Sequence, residues 1–260
     1  MGWEYLAVEH SEDVRFACNG CGRCCQNHHV PLTLDEALRW VGDGGQIIIL
    51  IEGFIEDGPG TGTGQTSHML KRSLAVRSGE LTPRVMVTFA AYNPGRCRYL
   101  GDDNRCGQYE VRPLVCRIYP AEINPSIALD ISAKECPPEV WETGPVLIQH
   151  ARVADTELEA LIERSRQADR DDIAEKVAIC ERLGISTSAL RGDGFTAWLP
   201  APEQWLAAVG QARSHERTPI DWAFEVSGQA LADELARLGA RMAHSAQQAG
   251  TFIALAATPA

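Results

Sequence analysis

A chain of 260 residues with 45% hydrophobic content has enough apolar material to bury a core without staples, in one large domain or two modest ones. Its formal net charge of -11 argues against nonspecific binding to nucleic acid or to a membrane surface, both of which call for a basic stripe. The opening stretch MGWEYLAVEHSEDVR has acids where a signal peptide has lysines, and no stretch approaches the roughly 20 apolar residues of a membrane span. A cytoplasmic protein is therefore expected, with no nucleic acid and no membrane among its partners and with an unidentified protein or small molecule as substrate.

The first feature along the chain is CNGCGRCC, four thiols within Cys18–Cys25, whose Gly20 and Gly22 allow a tight loop. HVPLTLDEALRWVGDGG follows as an extended piece and then a helix. Thr33 and Glu36 form a capping box, Ala37, Leu38, Trp40 and Val41 supply the apolar face, and Gly42 to Gly45 end the helix. QIIILIEGFI and RVMVTFAAY are short, apolar and rich in β-branched residues, as buried strands are. Between them EDGPGTG, Glu56 to Gly62, matches the E-x-G-x-G-x-G pattern of nucleoside-binding methyltransferases, with a Gly/Thr loop as the plainer reading.

Four more cysteines follow, Cys97, Cys106, Cys116 and Cys136, and then CPPEVWETGP, whose prolines 137, 138 and 145 suggest a linker. Beyond it only Cys180 remains, set among apolar residues at helical spacing as a buried structural thiol. Apolar periodicity predicts helices in VLIQHARVADTELEALIERSRQAD, DIAEKVAICERLG, EQWLAAVGQARS and ALADELARLGARMAHSAQQAGTFIALAA, packed as a bundle or cap, with Leu158, Leu161 and Ile162 as one buried stripe. The expected fold class is α+β: an irregular cysteine-rich metal-binding domain over residues 1–143, with short strands and helices, followed by a mostly α-helical C-terminal region over 144–260.

Nine cysteines in a chain of this length without an export signal favour metal binding over a disulfide scaffold. Cys18, Cys21 and Cys24 form C-x2-C-x2-C, the local spacing of cluster-binding ferredoxins, in which a remote Cys-Pro supplies a further ligand; here Cys136 precedes Pro137. Cys25, Cys97, Cys106 and Cys116 would complete a second four-sulfur site, for zinc or another iron group, although spacing alone leaves the partition of the adjacent Cys24 and Cys25 open. Arginines flank these thiols, Arg112 and Arg117 being the better candidates to balance sulfur charge, and His28 and His29 are close enough in sequence to be nitrogen ligands.

Taken together, FACNGCGRCC, LTLDEALR, CRYLGDDNRCGQYEVRPLVCRIYP and CPP, over about residues 14–140, resemble the YkgJ-type cysteine cluster family of zinc- or iron-chelating domains. That family includes a flagellin lysine N-methylase, so the resemblance implies an iron-sulfur cluster, a 4Fe-4S group among the candidates, and methyl transfer from S-adenosylmethionine as one activity. The alternative is a zinc-binding structural or interaction protein without catalysis. A thiol redox pair at CNGC or CGRC is a third reading, crowded by the number of sulfurs. No local Ser-His-Asp or H-E-x-x-H arrangement offers catalytic residues.

Overall fold

A computed structural model describes residues 13–61, 66–243 and 250–255. Along the chain come β1 (Val14–Arg15), β2 (Val30–Leu32), α1 (Leu34–Gly42), β3 (Ile47–Phe54), α2 (Thr66–Lys71), β4 (Leu74–Ala75) and β5 (Arg84–Ala91). The second cysteine region holds the short α3 (Leu114–Ile118) between single 3-10 turns. Then follow β6 (Val146–Gln149), β7 (Arg152–Val153), α4 (Thr156–Arg182), β8 (Thr187–Leu190), β9 (Gly194–Trp198), α5 (Pro202–Ser214), β10 (Ala223–Glu225), α6 (Gln229–Arg237) and β11 (Thr251–Ala254). The α+β class expected from sequence is what forms.

The two apolar runs become the longest strands, β3 and β5, paired antiparallel over their full length from Ile47 opposite Ala91 to Phe54 opposite Arg84. Alternation splits β3 between two faces: Ile47, Ile49 and Ile51 enter the main core, and Ile48 and Leu50 join a smaller cluster. The main core is closed by Trp40 of α1, Val177 and Cys180 of α4, and Trp205 of α5, whose ring meets Phe89 edge-on at 5.7 Å. Cys180 is fully buried there.

α1 has the expected capping box: Thr33 accepts from the Glu36 amide at 3.2 Å while Glu36 accepts from the Thr33 amide at 2.9 Å. The helix ends as the glycines predicted, and at Gly45 a Cβ would fall 2.3 Å from the Trp40 indole nitrogen, which donates to Gln46 O at 2.9 Å.

Strands from both sides of residue 143 share one eight-stranded sheet, ordered β10-β8-β3-β5-β2, with β9 and β4 also joined to its central strands and β11 to β9. The helices after residue 144 therefore lie against a sheet and do not form the expected bundle. Helical periodicity identified α4 and α5, but VLIQ is β6, and α6 stops at Arg237, where Gly239 takes a φ of +94° and TFIA resumes as β11 paired with β9. Residues 244–249 of that predicted helix lie outside the described residues.

The proline-rich 137–145 stretch is not a free linker. Ala17 donates to Val140 O at 2.9 Å, Phe16 to Pro145 O at 3.1 Å, and Phe16 packs on Trp141 with ring centroids 5.0 Å apart. With β1 paired to β6, these contacts carry the chain into Cys18.

Candidate metal centre

The first cysteine loop is built by its own backbone. Gly20 and Gly22 hold φ near the left-handed region, +71° and +70°, which non-glycine residues adopt at a cost. Asn19 Oδ1 accepts from the Cys21 amide at 3.2 Å, and Cys25 N closes a 3-10 turn on Gly22 O at 3.1 Å. This turn sets the two consecutive thiols of Cys24 and Cys25 4.0 Å apart, sulfur to sulfur.

Three other segments arrive at this loop by identifiable bonds. Cys97 N donates to Cys25 O at 2.8 Å and Asn27 N to Gly95 O at 2.6 Å, zipping the 95–97 stretch against the turn. Cys106 is returned by a small loop in which it bridges Leu100, with the Arg96 guanidinium bonding Leu100 O at 3.2 Å. The far side is pinned to the end of α1 by Tyr99, whose hydroxyl donates to Asp43 Oδ2 at 2.5 Å, and by Arg98, which bonds Asp43 O and lies 5.7 Å from the Trp40 ring centroid.

Cys116 sits on α3. Glu36 Oε1, the oxygen left over from the capping box, accepts from Leu114 N at 2.8 Å, so one buried carboxylate ties α1 to the first turn of the cysteine helix. Leu114, Ile118 and Ala121 pack on Ile162 of α4, with Leu158 and Leu161 beside them. That is the apolar stripe expected from spacing, and its partner is the cysteine region. Cys136 is held near Tyr119, whose hydroxyl accepts from Glu135 N at 3.1 Å and lies 3.7 Å from Cys136 Sγ.

Electrostatic influence links these thiols in two overlapping groups. Cys25, Cys136 and Cys18 act on Cys24, and Cys21 and Cys18 act on Cys136. Cys25 and Cys106 act on Cys97, while Cys25, Cys97 and Cys106 act on Cys116. The two groups meet at the Cys24–Cys25 pair, each of which is the other's strongest partner. A cavity of about 330 Å³ is lined by Cys18, Cys21, Cys24, Cys116 and Cys136, and a neighbouring one of about 290 Å³ by Cys24, Cys25, Cys97, Cys106 and Cys116. Both include Arg112 and Tyr119.

The pair Cys24 and Cys25 behaves as one unit sharing a hydrogen bond: it holds the Cys24 thiol far up and brings Cys25 down to about 7, with Arg112 adding to the fall. Burial pushes Cys116 up to about 12 against the pull of Arg112, and likewise raises Cys97 and Cys136. Arg112 acts on Cys25 and Cys116, as Arg98 does on Cys97 and Lys134 on Cys136. Arg112 stacks 3.8 Å over the Tyr109 ring and its Nε donates to Tyr109 O at 3.1 Å, which fixes its place. Arg117 is exposed on the edge of the first cavity.

His29 accepts from Asn93 N through Nδ1 at 3.0 Å and stacks on Tyr92, and burial holds its pKa down; His28 lies 3.9 Å from Glu135. Both line the second cavity, and His29 spends one ring nitrogen on the backbone. As posed, no three His, Cys, Asp or Glu side chains among the described residues are grouped closely enough to hold one ion. The cysteines lining the two cavities offer sulfur, the soft donor that zinc, copper(I) and iron-sulfur groups select. All nine cysteines are free, so no disulfide competes for them.

EDGPGTG closes the end of β3 as a tight turn. Thr61 donates to Ile55 O at 2.6 Å, and a Cβ on Gly60, at φ +83°, would stand 3.0 Å from Phe54 Cβ. The strand it follows pairs antiparallel with β5 and, at its end, parallel with β8, and Gly62 lies outside the described residues.

Sequence reasoning passed over Tyr119 and the second bond of Glu36. Tyr119 was visible only as part of a Tyr-Pro pair, and a capping residue has a spare oxygen whose partner is 78 residues away.

Residues 59–137 match the CxxCxxCC family model, described as a putative zinc- or iron-chelating domain. The match contains Cys97, Cys106, Cys116 and Cys136 together with Arg112, Pro113 and Tyr119, and stops short of the Cys18–Cys25 loop. Similarity to the cysteine cluster family therefore holds for this segment, narrower than the 14–140 span of the motif resemblance. No curated protein and no solved structure matches the chain.

Proposed function

We propose that a chain whose 59–137 segment is of the zinc- or iron-chelating type holds two metal centres of four thiolates each. Cys18, Cys21, Cys24 and Cys136 would ligate the first, and Cys25, Cys97, Cys106 and Cys116 the second. An iron-sulfur cluster, [4Fe-4S] in the first instance, is the preferred occupant of the first centre, where C-x2-C-x2-C joins a remote Cys-Pro. The observation that carries the proposal is that two adjoining cavities are lined by cysteines, Cys18, Cys21 and Cys136 in one and Cys25, Cys97 and Cys106 in the other, with Cys24 and Cys116 on both.

Bound there by four thiolates, an iron-sulfur group would supply one-electron transfer. The chain's own residues have clear tasks beside it. Arg112 offsets thiolate charge next to Cys25 and Cys116, and the Tyr119 hydroxyl is placed to give a hydrogen bond to a Cys136 thiolate. Because burial disfavours the thiolates of Cys97 and Cys116, binding at the second centre releases protons and weakens as pH falls. Methyl transfer from S-adenosylmethionine has no support in the EDGPGTG turn and stays outside the proposal.

Anaerobic purification with iron, zinc and sulfide analysis tests the reading. A brown protein with broad absorption near ~400 nm carries iron-sulfur, and a colourless one with zinc replaces it by the structural-zinc alternative. Cys18→Ser and Cys136→Ser should each lose the metal of the first centre and keep that of the second, with Cys97→Ser and Cys106→Ser doing the reverse. Metal content unchanged by all four substitutions sinks the two-centre proposal.

A further inference from the structure

A third cavity, about 320 Å³, lies on the other side of Tyr119, between β2, β5, α2 and α4. Tyr119 lines it together with both cysteine cavities, and Lys134 is common to it and the second of these. No part of the metal-centre reading uses its chemistry.

Its most unusual wall is Lys176, a lysine only 2% exposed in the middle of α4. An ammonium has three protons to place, and burying one without partners is costly. Lys176 Nζ donates to Leu32 O at a long 3.4 Å, with Asp172 at 3.6 Å and Asp169 at 3.8 Å, both beyond good hydrogen-bond range. Asp172 is already committed, accepting from Leu34 N at 2.7 Å. Asp169 is shared with Arg72, which reaches it through Nε at 3.4 Å, and the terminal nitrogens of Arg72 make no hydrogen bond among the described residues.

The other acids of the wall are also spent. Glu36 accepts from Thr33 N and Leu114 N, and Glu122 is paired with Lys134. His68, on α2, is held neutral by burial and by the charges of Arg72, Arg166 and Arg170, against Asp169 alone. Of the charged groups of this cavity, Arg72 keeps its terminal nitrogens without a hydrogen bond among the described residues, and Lys176 holds its acids only at ion-pair distance.

We propose that this cavity binds the carboxylate of a small-molecule ligand between Lys176 and Arg72, with the rest of the ligand directed past Tyr119 toward the cysteines. The anchoring half stands on the cavity alone; only the statement of what the far end meets rests on the metal-centre reading. A carboxylate gives Lys176 and Arg72 shorter charge-assisted bonds than the 3.4 to 3.8 Å ion pairs they make with Asp169 and Asp172.

Calorimetric titration of the full-length protein, as purified anaerobically, with succinate and with its uncharged analogue succinamide tests this. Succinate should bind and succinamide should not, and Arg72→Gln and Lys176→Met should each weaken succinate by about tenfold or more, the loss of about 1.4 kcal/mol. Arg72 is partly exposed and outside the core, so its variant keeps the test valid if Lys176→Met does not fold. Absence of succinate binding, equal binding of succinamide, or unchanged affinity in folded Arg72→Gln overturns the proposal. Metal content measured on the same samples separates the two readings: protein that binds succinate without holding metal refutes the metal centres and leaves the carboxylate site standing.

Discussion

Glu36 satisfies two structural demands with one buried carboxylate: the Thr33 amide of its own helix cap and the Leu114 amide two residues before Cys116. Glu36→Ala should cost about 2 to 4 kcal/mol in urea denaturation, since two backbone donors lose a charged acceptor, and should lower metal content at the second centre. The two loop glycines make a graded pair. Gly20→Ala meets no atom within 4 Å and pays only the left-handed backbone cost of about 1 kcal/mol, whereas Gly22→Ala also presses on Asn104 and Leu100 at 3.2 to 3.3 Å. Gly22→Ala should therefore be the more destabilising and the more damaging to metal retention.

Glu52, on β3, tests the same physics by pH. Burial raises its carboxyl against the opposing pull of Arg191 and Arg72. The folded state then holds this proton more tightly than the unfolded chain. Its contribution is fully present below the ordinary carboxylate range and is lost as pH rises through the raised folded value. Glu52→Gln should stabilise the protein at about pH 7 and show a smaller gain, or none, at about pH 4, by denaturant titration at both. An equal gain at the two pH values refutes this account.

At the scale of elements, α4 joins the two parts of the molecule. Its first half packs Ile162 on α3, and its second half sends Ile173, Val177 and Cys180 into the core over the sheet. Ile162→Ala should cost about 2 to 4 kcal/mol and loosen metal at the second centre without touching a thiol. Val177→Ala, a comparable core deletion on the same helix, should lower the unfolding midpoint and leave metal affinity near that of the parent. This two-ended role was only half legible. The stripe of Leu158, Leu161 and Ile162 shows in the sequence as a buried face, because periodicity says that a face is covered. It does not say by what.

Across the whole molecule, apolar burial is uneven. The sheet and the helices over it share one large cluster, while the cysteine region around α3 has a small one of Leu114, Ile118, Ala121 and Ile162. Chelation should therefore release hydrogen-exchange protection first over residues 93–137, with β3 and β5 exchanging later. A metal domain over residues 1–143 that had its own core would unfold as a whole when Cys97 is replaced by Ser. Because β3 and β5 belong to a core shared with α4 and α5, loosening confined to the cysteine region is expected instead, and early exchange of β3 amides after metal loss would contradict this. No helix among the described residues is long and apolar enough to cross a membrane.

Local chemistry is what the amino-acid order by itself determined: sulfur as the donor, the turn glycines, the capping box of α1 and the two long strands. Each depends on residues within a few positions of one another, where φ preference, side-chain period and hydrogen-bond reach are already expressed. Only the tertiary structure decided that β8, β9 and β10 enter the sheet of β3 and that Lys176 is enclosed beside Tyr119. Those outcomes are set by pairings across 100 or more residues, such as Glu52 with Ala189 or Lys176 with Leu32, and the energy of such a pairing belongs to both partners at once, so neither segment carries its signal alone.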